Sequence, residues 1–117
     1  MKKKANTDMD FAQVFKALSN ENRLKVFEII RRGRYSADCC KDEAPPEGIP
    51  SNAVCVCEIL DQLNVSAPTL SHHLKELRNA GIVDVYNHGQ WSYYNMSEGV
   101  LEMLAAYFRS GQPARKR

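Results

Sequence analysis

Two apolar stripes separated by a short turn constrain this chain more than any other feature. In "VCVCEILDQLNVSAPTLSHHLKELRNAGIV", Val56, Ile59, Leu60 and Leu63 fall on one helical face, and Leu70, Leu74 and Leu77 repeat at i, i+4 and i+7. Between them stands "NVS", with Ser66 as an N-cap and Pro68 in the first turn, where its missing N–H does no harm. Gly81 stops the second stripe. Two short amphipathic helices joined by so tight a turn predict a helix-turn-helix.

The flanks fix what surrounds it. Phe11, Val14, Phe15 and Leu18 make one amphipathic helix; Leu24, Val26, Phe27, Ile29 and Ile30 make a second, capped by Ser19 or Asn20. Arg31, Arg32 and Gly33 end it, cations and then glycine, as a helix C-terminus favours. Residues 34–53 hold three prolines and no apolar period, which predicts a long inserted loop. After the helix-turn-helix, "IVDVYNHGQWSYYNMS" is β-branched and aromatic around the turn signal "NHGQ" and predicts a hairpin. Ser97 caps a last helix with Val100, Leu101, Leu104 and Phe108 apolar. The expected fold is therefore mainly α (α+β). It is a winged helix-turn-helix of about five helices with a two-stranded hairpin wing, one domain over residues 1–117. Residues 34–53 form its cysteine-containing insertion, and residues 1–8 and 110–117 are flexible tails.

Composition narrows the function. No apolar run approaches the ~18 residues of a membrane span, and "MKKKANTDMD" lacks the apolar core of a signal peptide, so a cytoplasmic protein is expected. In that compartment four cysteines point to metal binding or redox chemistry rather than a disulfide framework. No Ser/His/Asp or Cys/His constellation has catalytic spacing and no phosphate loop appears, so the chain is not expected to be an enzyme. The pairs Cys55–Cys57 and His72–His73 also lack zinc-finger gaps. Positive charge gathers in residues 1–34 and 100–117, while the middle is mildly acidic. Such a layout is compatible with a nucleic-acid partner and equally with solvated basic tails.

In a helix-turn-helix the start of the second helix meets base edges. Ser66, Thr69, Ser71 and His72 are the candidates, with Thr69 and His72 foremost and Ser66 serving at least as a cap. Lys75 and Arg78 are placed to reach phosphates or to form a solvated face. His73 adjoins the leucine stripe, and a structural histidine is as good a reading as a DNA ligand. His88 and Gln90 at the hairpin tip would border the minor groove, while Trp91, Tyr93 and Tyr94 read as hairpin packing. The thiols pose a geometric question. Residues two apart lie about 200° around a helix, so Cys55 and Cys57 could meet on one ion only if the first turn unwound.

"FKALSNENRLKVFEII", "VCVCEIL", "SAPTLSHHLKELRNAGIV" and "HGQWSYYNMS", in this order, resemble the ArsR/SmtB family of bacterial metal-responsive repressors. The resemblance implies a homodimer assembled through the first and last helices, bound to double-stranded operator DNA without any cofactor and released by an inducer. In that family a Cys-Val-Cys at this place looks like an arsenic(III) or cadmium/lead sensing motif. The arsenic version often has a third cysteine where this chain has Leu60, so the third sulfur must come from elsewhere, Cys40 or Cys39 in the insertion. The implied inducers are arsenite and antimonite, with cadmium or lead ions and a thiol-redox or persulfide response as the alternatives. The zinc ligands some members carry on the last helix have only Glu98 as a counterpart here.

Overall fold

A computed structural model describes residues 9–33 and 45–110. Five helices and three short strands follow one another as α1 (Phe11–Leu18), α2 (Glu21–Arg32), β1 (Val54–Cys55), α3 (Val56–Gln62), α4 (Ala67–Asn79), β2 (Val83–His88), β3 (Trp91–Met96) and α5 (Val100–Ser110). The helix starts are those that side-chain capping favours. Asp10 accepts from the Gln13 N–H, and Asn20, rather than Ser19, accepts from the Arg23 N–H at 2.9 Å. Ser19 closes α1 instead, donating its hydroxyl to the Lys16 carbonyl.

One core holds the elements together. Val14, Val26 and Ile30 from the first two helices meet Ile59 of α3, and Leu70, Leu74 and Leu77 of α4, all essentially without solvent access. Each such side chain contributes on the order of 1.5–3 kcal/mol relative to exposure. Ile82 and Val83 carry the core into the wing, and Val100 and Leu104 seal it from α5. Leu24, Leu101 and Phe108 depart from the expected apolar faces, remaining 40%, 38% and 66% exposed.

The wing is larger than a hairpin. β2 and β3 pair antiparallel from Val83↔Met96 to His88↔Trp91, leaving Gly89 and Gln90 as a two-residue turn, with Gly89 at φ +62°. β1 adds a third strand against β3, with Val54 opposite Tyr94 and Cys55 opposite Tyr93, giving the order β1-β3-β2. The expected two-stranded hairpin is present as β2 and β3, and β1, only two residues long, is added to it because a distant strand supplies its hydrogen bonds.

The insertion is anchored at a neck. α2 ends at Gly33 with φ +90°, a value L side chains rarely adopt, and a Cβ there would lie 3.4 Å from the Cβ of Asn52. Gly33 and Asn52 thus stand side by side. Among residues 45–53, two turns close through the Ile49 N–H to the Pro46 carbonyl and the Ala53 N–H to the Pro50 carbonyl.

Candidate nucleic-acid interface and thiol pair

α4 begins where Ser66, with extended backbone, turns its hydroxyl oxygen to the Thr69 N–H at 3.2 Å. The same hydroxyl donates to Thr69 Oγ1 at 2.9 Å, so both side chains are tied to the helix start before any ligand arrives. Replacing Ser66 with alanine removes the cap, and thermal or urea unfolding should show a loss of about 1 kcal/mol.

Leu70, His73, Leu74 and Leu77 turn inward, which leaves Ser66, Thr69, Ser71, His72, Lys75 and Arg78 exposed on the opposite side. That side combines hydroxyl and imidazole groups near the N-terminus with two cations farther along. Such an order can meet base edges at one end and phosphates at the other. His88 and Gln90 are exposed at the wing tip, which is held by a hydrogen bond from the Ser92 hydroxyl to Asn87 Oδ1 at 2.8 Å. Of the three aromatic residues expected to pack within the hairpin, Tyr94 is buried and Tyr93 partly so, but Trp91 is 41% exposed.

His73 is a core histidine, 7% exposed, and its Nδ1 has no hydrogen-bond partner. Burial, then the nearby charges of Arg23 and His72, lower its pKa from the usual 6.5. As pH falls, the unfolded chain takes up this proton before the folded one. The stability owed to neutral His73 is therefore whole above pH 6.5 and is lost as pH drops through the lowered folded value. Thermal midpoints of the parent should fall on acidification below pH 6.5, and those of His73→Leu should fall less steeply.

The thiols give the main correction to sequence reasoning. Cys55 and Cys57 Sγ atoms stand 3.1 Å apart although α3 is regular. The 200° separation does not apply, because Cys55 lies outside the helix: it is the N-cap, with φ −71° and ψ 144°, and the last residue of β1. No unwinding is needed to bring the pair together. Two sulfurs on one ion, with bonds of roughly 2.3 Å, stand between about 3.3 and 3.8 Å apart as the angle at the ion opens from 90° to tetrahedral. The observed spacing is close to that bite. Cys55 is buried and Cys57 half-buried.

Among the described residues, no group of three or more Cys, His, Asp or Glu side chains gathers into a metal site. Cys39 and Cys40, the expected source of a third sulfur, lie outside the described residues. The donor set in view is two sulfurs, so it fits a thiophilic ion only with a further ligand.

Two features escaped sequence reasoning. Glu58, in the first turn of α3, is 1% exposed beside the thiol pair; its place three residues after the N-cap is the only signal that could have marked it. The other is an aromatic cluster, with Phe11 and Tyr107 ring centroids 4.4 Å apart and Phe15 and Phe108 5.6 Å apart.

Comparison with known proteins places this geometry. Residues 51–85, from just before β1 into β2, match the model described as "Bacterial regulatory protein, arsR family". The chain is 34% identical over 104 residues to the HTH-type transcriptional regulator YbzH of Bacillus subtilis (strain 168), covering 87% of this chain and 98% of that protein. It is 30% identical to the arsenical resistance operon repressor of the same organism, covering 85% and 82%. A solved structure with the same fold is the homodimeric winged helix-turn-helix DNA-binding domain of Mb0332 from Mycobacterium bovis. It matches at a TM-score of 0.59 and 21% identity, over 86% of this chain and 75% of that one. Such relatives are transcriptional regulators and not enzymes, and this chain belongs with them to the arsR family of bacterial regulatory proteins.

Proposed function

We propose that the protein is a homodimeric repressor that releases its operator when arsenite or antimonite is captured by Cys55, Cys57 and a third thiol from Cys40 or Cys39. The observation that carries this reading is the 3.1 Å separation of the two sulfurs at the junction of β1 and α3. The name of the arsenical resistance relative supports the choice of inducer. Soft thiolates favour arsenic(III) and antimony(III), and they also suit cadmium and lead ions.

On this reading Ser66, Thr69, Ser71 and His72 meet the major groove, Lys75 and Arg78 hold phosphates, and His88 and Gln90 approach the minor groove. Dimerisation uses α1 and α5, where Phe11, Phe15, Tyr107 and Phe108 form the aromatic cluster, and Tyr107 and Phe108 remain exposed. The homodimeric state of the Mb0332 domain supports pairing as such. Two reading helices then face half-sites about 34 Å apart. The protein acts in the cytoplasm; among its described residues no helix is long and apolar enough to cross a membrane.

Coupling runs through the junction rather than through an unwound turn. Cys55 belongs to the wing sheet and Cys57 to the helix that precedes α4. An ion shared by both, and tied to the insertion, fixes the relation between wing and helix-turn-helix in a form that fits DNA poorly. Couplings of about 1–3 kcal/mol lower operator affinity about 5- to 150-fold.

The same close thiols also favour a second reading, a thiol-redox or persulfide response. The test is anisotropy of a labelled operator duplex bound to the purified reduced protein, titrated with arsenite, antimonite, cadmium, lead and polysulfide, with thiols counted after each. Release by arsenite with three sulfurs bound per chain supports the first reading. Release by polysulfide alone, with a disulfide or polysulfide link formed, supports the second. No release by any of them removes both.

A further inference from the structure

We infer that the groove between α2 and the C-terminal end of α3 binds a small organic anion with an apolar body, of the class of medium-chain carboxylates. The site goes beyond the proposed regulation, since it uses neither the thiol pair nor the exposed side of α4.

The groove follows from how α2 divides its apolar residues. Val26, Phe27 and Ile30 go to the core, whereas Leu24 on the same helix remains 40% exposed. Leu24, Ile29 and Leu63, the residue that ends α3, line an open cavity of about 320 Å³. That volume is at the lower end for small-molecule sites, which are mostly apolar with a few placed polar groups. The seven residues of α3, at about 1.5 Å each, separate this cavity from the thiol pair at the other end of the helix.

Charge selects the occupant. Lys25, Glu28 and Arg32 also line the cavity, two cations against one carboxylate. Glu28 is already held, its Oε1 standing 3.3 Å from Arg31 Nη2 and 3.6 Å from Arg32 Nη2. A cationic ligand would have to compete with two guanidinium groups for it. Lys25 is held far less firmly. Among the described residues it pairs with Glu21 alone, at 3.8 Å, and both side chains are well exposed. Pairs of that kind contribute little and exchange readily for another anion.

One chemistry uses both halves of the groove. A carboxylate head meets Lys25 at the rim while a hydrocarbon body covers Leu24 and Leu63. Inorganic phosphate would leave the apolar floor bare, and a neutral hydrocarbon would leave the surplus cation unused.

The test titrates the full-length protein with octanoate, octanol and octylammonium while methyl resonances are followed by NMR. Octanoate should shift Leu24, Ile29 and Leu63 saturably and leave Leu101, an equally exposed leucine on α5, in place. Octanol should bind about threefold more weakly, as should octanoate to Lys25→Ala, and octylammonium more weakly still. Leu24→Asn should weaken octanoate about tenfold, the loss expected when the apolar area left exposed there can no longer be covered. Leu24→Met keeps that area and should bind as the parent does, which separates loss of the floor from loss of fold. Absence of a saturable shift overturns the assignment. So does equal binding of octylammonium, or undiminished binding of octanoate by Leu24→Asn. A shift of Leu101 in step with the others overturns it as general apolar adsorption, and a fall in oligomeric mass on Leu24→Asn makes the groove a contact between copies instead. No arm contains DNA or arsenite, so failure here leaves the proposed regulation standing.

Discussion

Cys55→Ser and Cys57→Ser proteins are expected to bind operator DNA as tightly as the parent and to keep hold of it when arsenite is added. Neither substitution touches the exposed side of α4, and serine is close to cysteine in size, so apo binding should survive. Inducer capture should not. Each variant leaves one sulfur where the parent has two at 3.1 Å, and a hydroxyl is a poor ligand for a soft ion. The release of about 5- to 150-fold expected of the parent should fall to nearly nothing in either variant. Cys39→Ser and Cys40→Ser should differ from one another, with the larger loss marking the third ligand. Anisotropy titrations of the four variants decide the matter. Normal release by the Cys55 or Cys57 variant would refute the thiol mechanism.

The second large effect is expected at the other end of the molecule. On the proposed pairing through α1 and α5, Phe108→Glu should give monomers over the concentration range in which the parent stays paired. The side chain is 66% exposed and lies against Phe15 and Tyr107, so a charge there costs the single chain little. Buried at a two-fold interface, the same carboxylate would have no partner, and loss of an aromatic anchor alone costs about 2 kcal/mol or more. Sedimentation should show dimer dissociation strengthened by on the order of thirtyfold or more. Operator affinity should fall with it, because two half-sites are held together only by the linkage between reading helices. Unchanged mass would place the interface elsewhere.

Much of this architecture was legible because it is written in local chemistry. The leucine repeat of α4, the caps at Asn20 and Ser66, and the glycine turn at Gly89 each depend on residues a few places apart. What was not legible depends on distant partners. "VCVC" reads as a helix start because the Val56–Leu63 stripe follows it. Yet Val54 and Cys55 are held as strand by Tyr94 and Tyr93, roughly forty residues on, and that pairing alone moves Cys55 off the helix. Trp91 and Leu24 illustrate the complementary limit. Periodicity and residue type mark a side chain as apolar, but whether a neighbour covers it is decided by the tertiary fold. The thiol motif was found by spacing; its geometry was not, since a two-residue gap means opposite faces in a helix and adjacency across a strand-to-helix junction.

The neck formed by Gly33 and Asn52 has a consequence for how such a regulator can diversify. Gly33 and Asn52 hold the two ends of the segment close together. Doubling the length of the intervening chain adds only about 0.6 kcal/mol of closure entropy. A change in the length of that segment therefore costs little at the neck itself. On the proposed function, inducer selectivity and promoter selectivity would then be adjusted in different parts of one small protein.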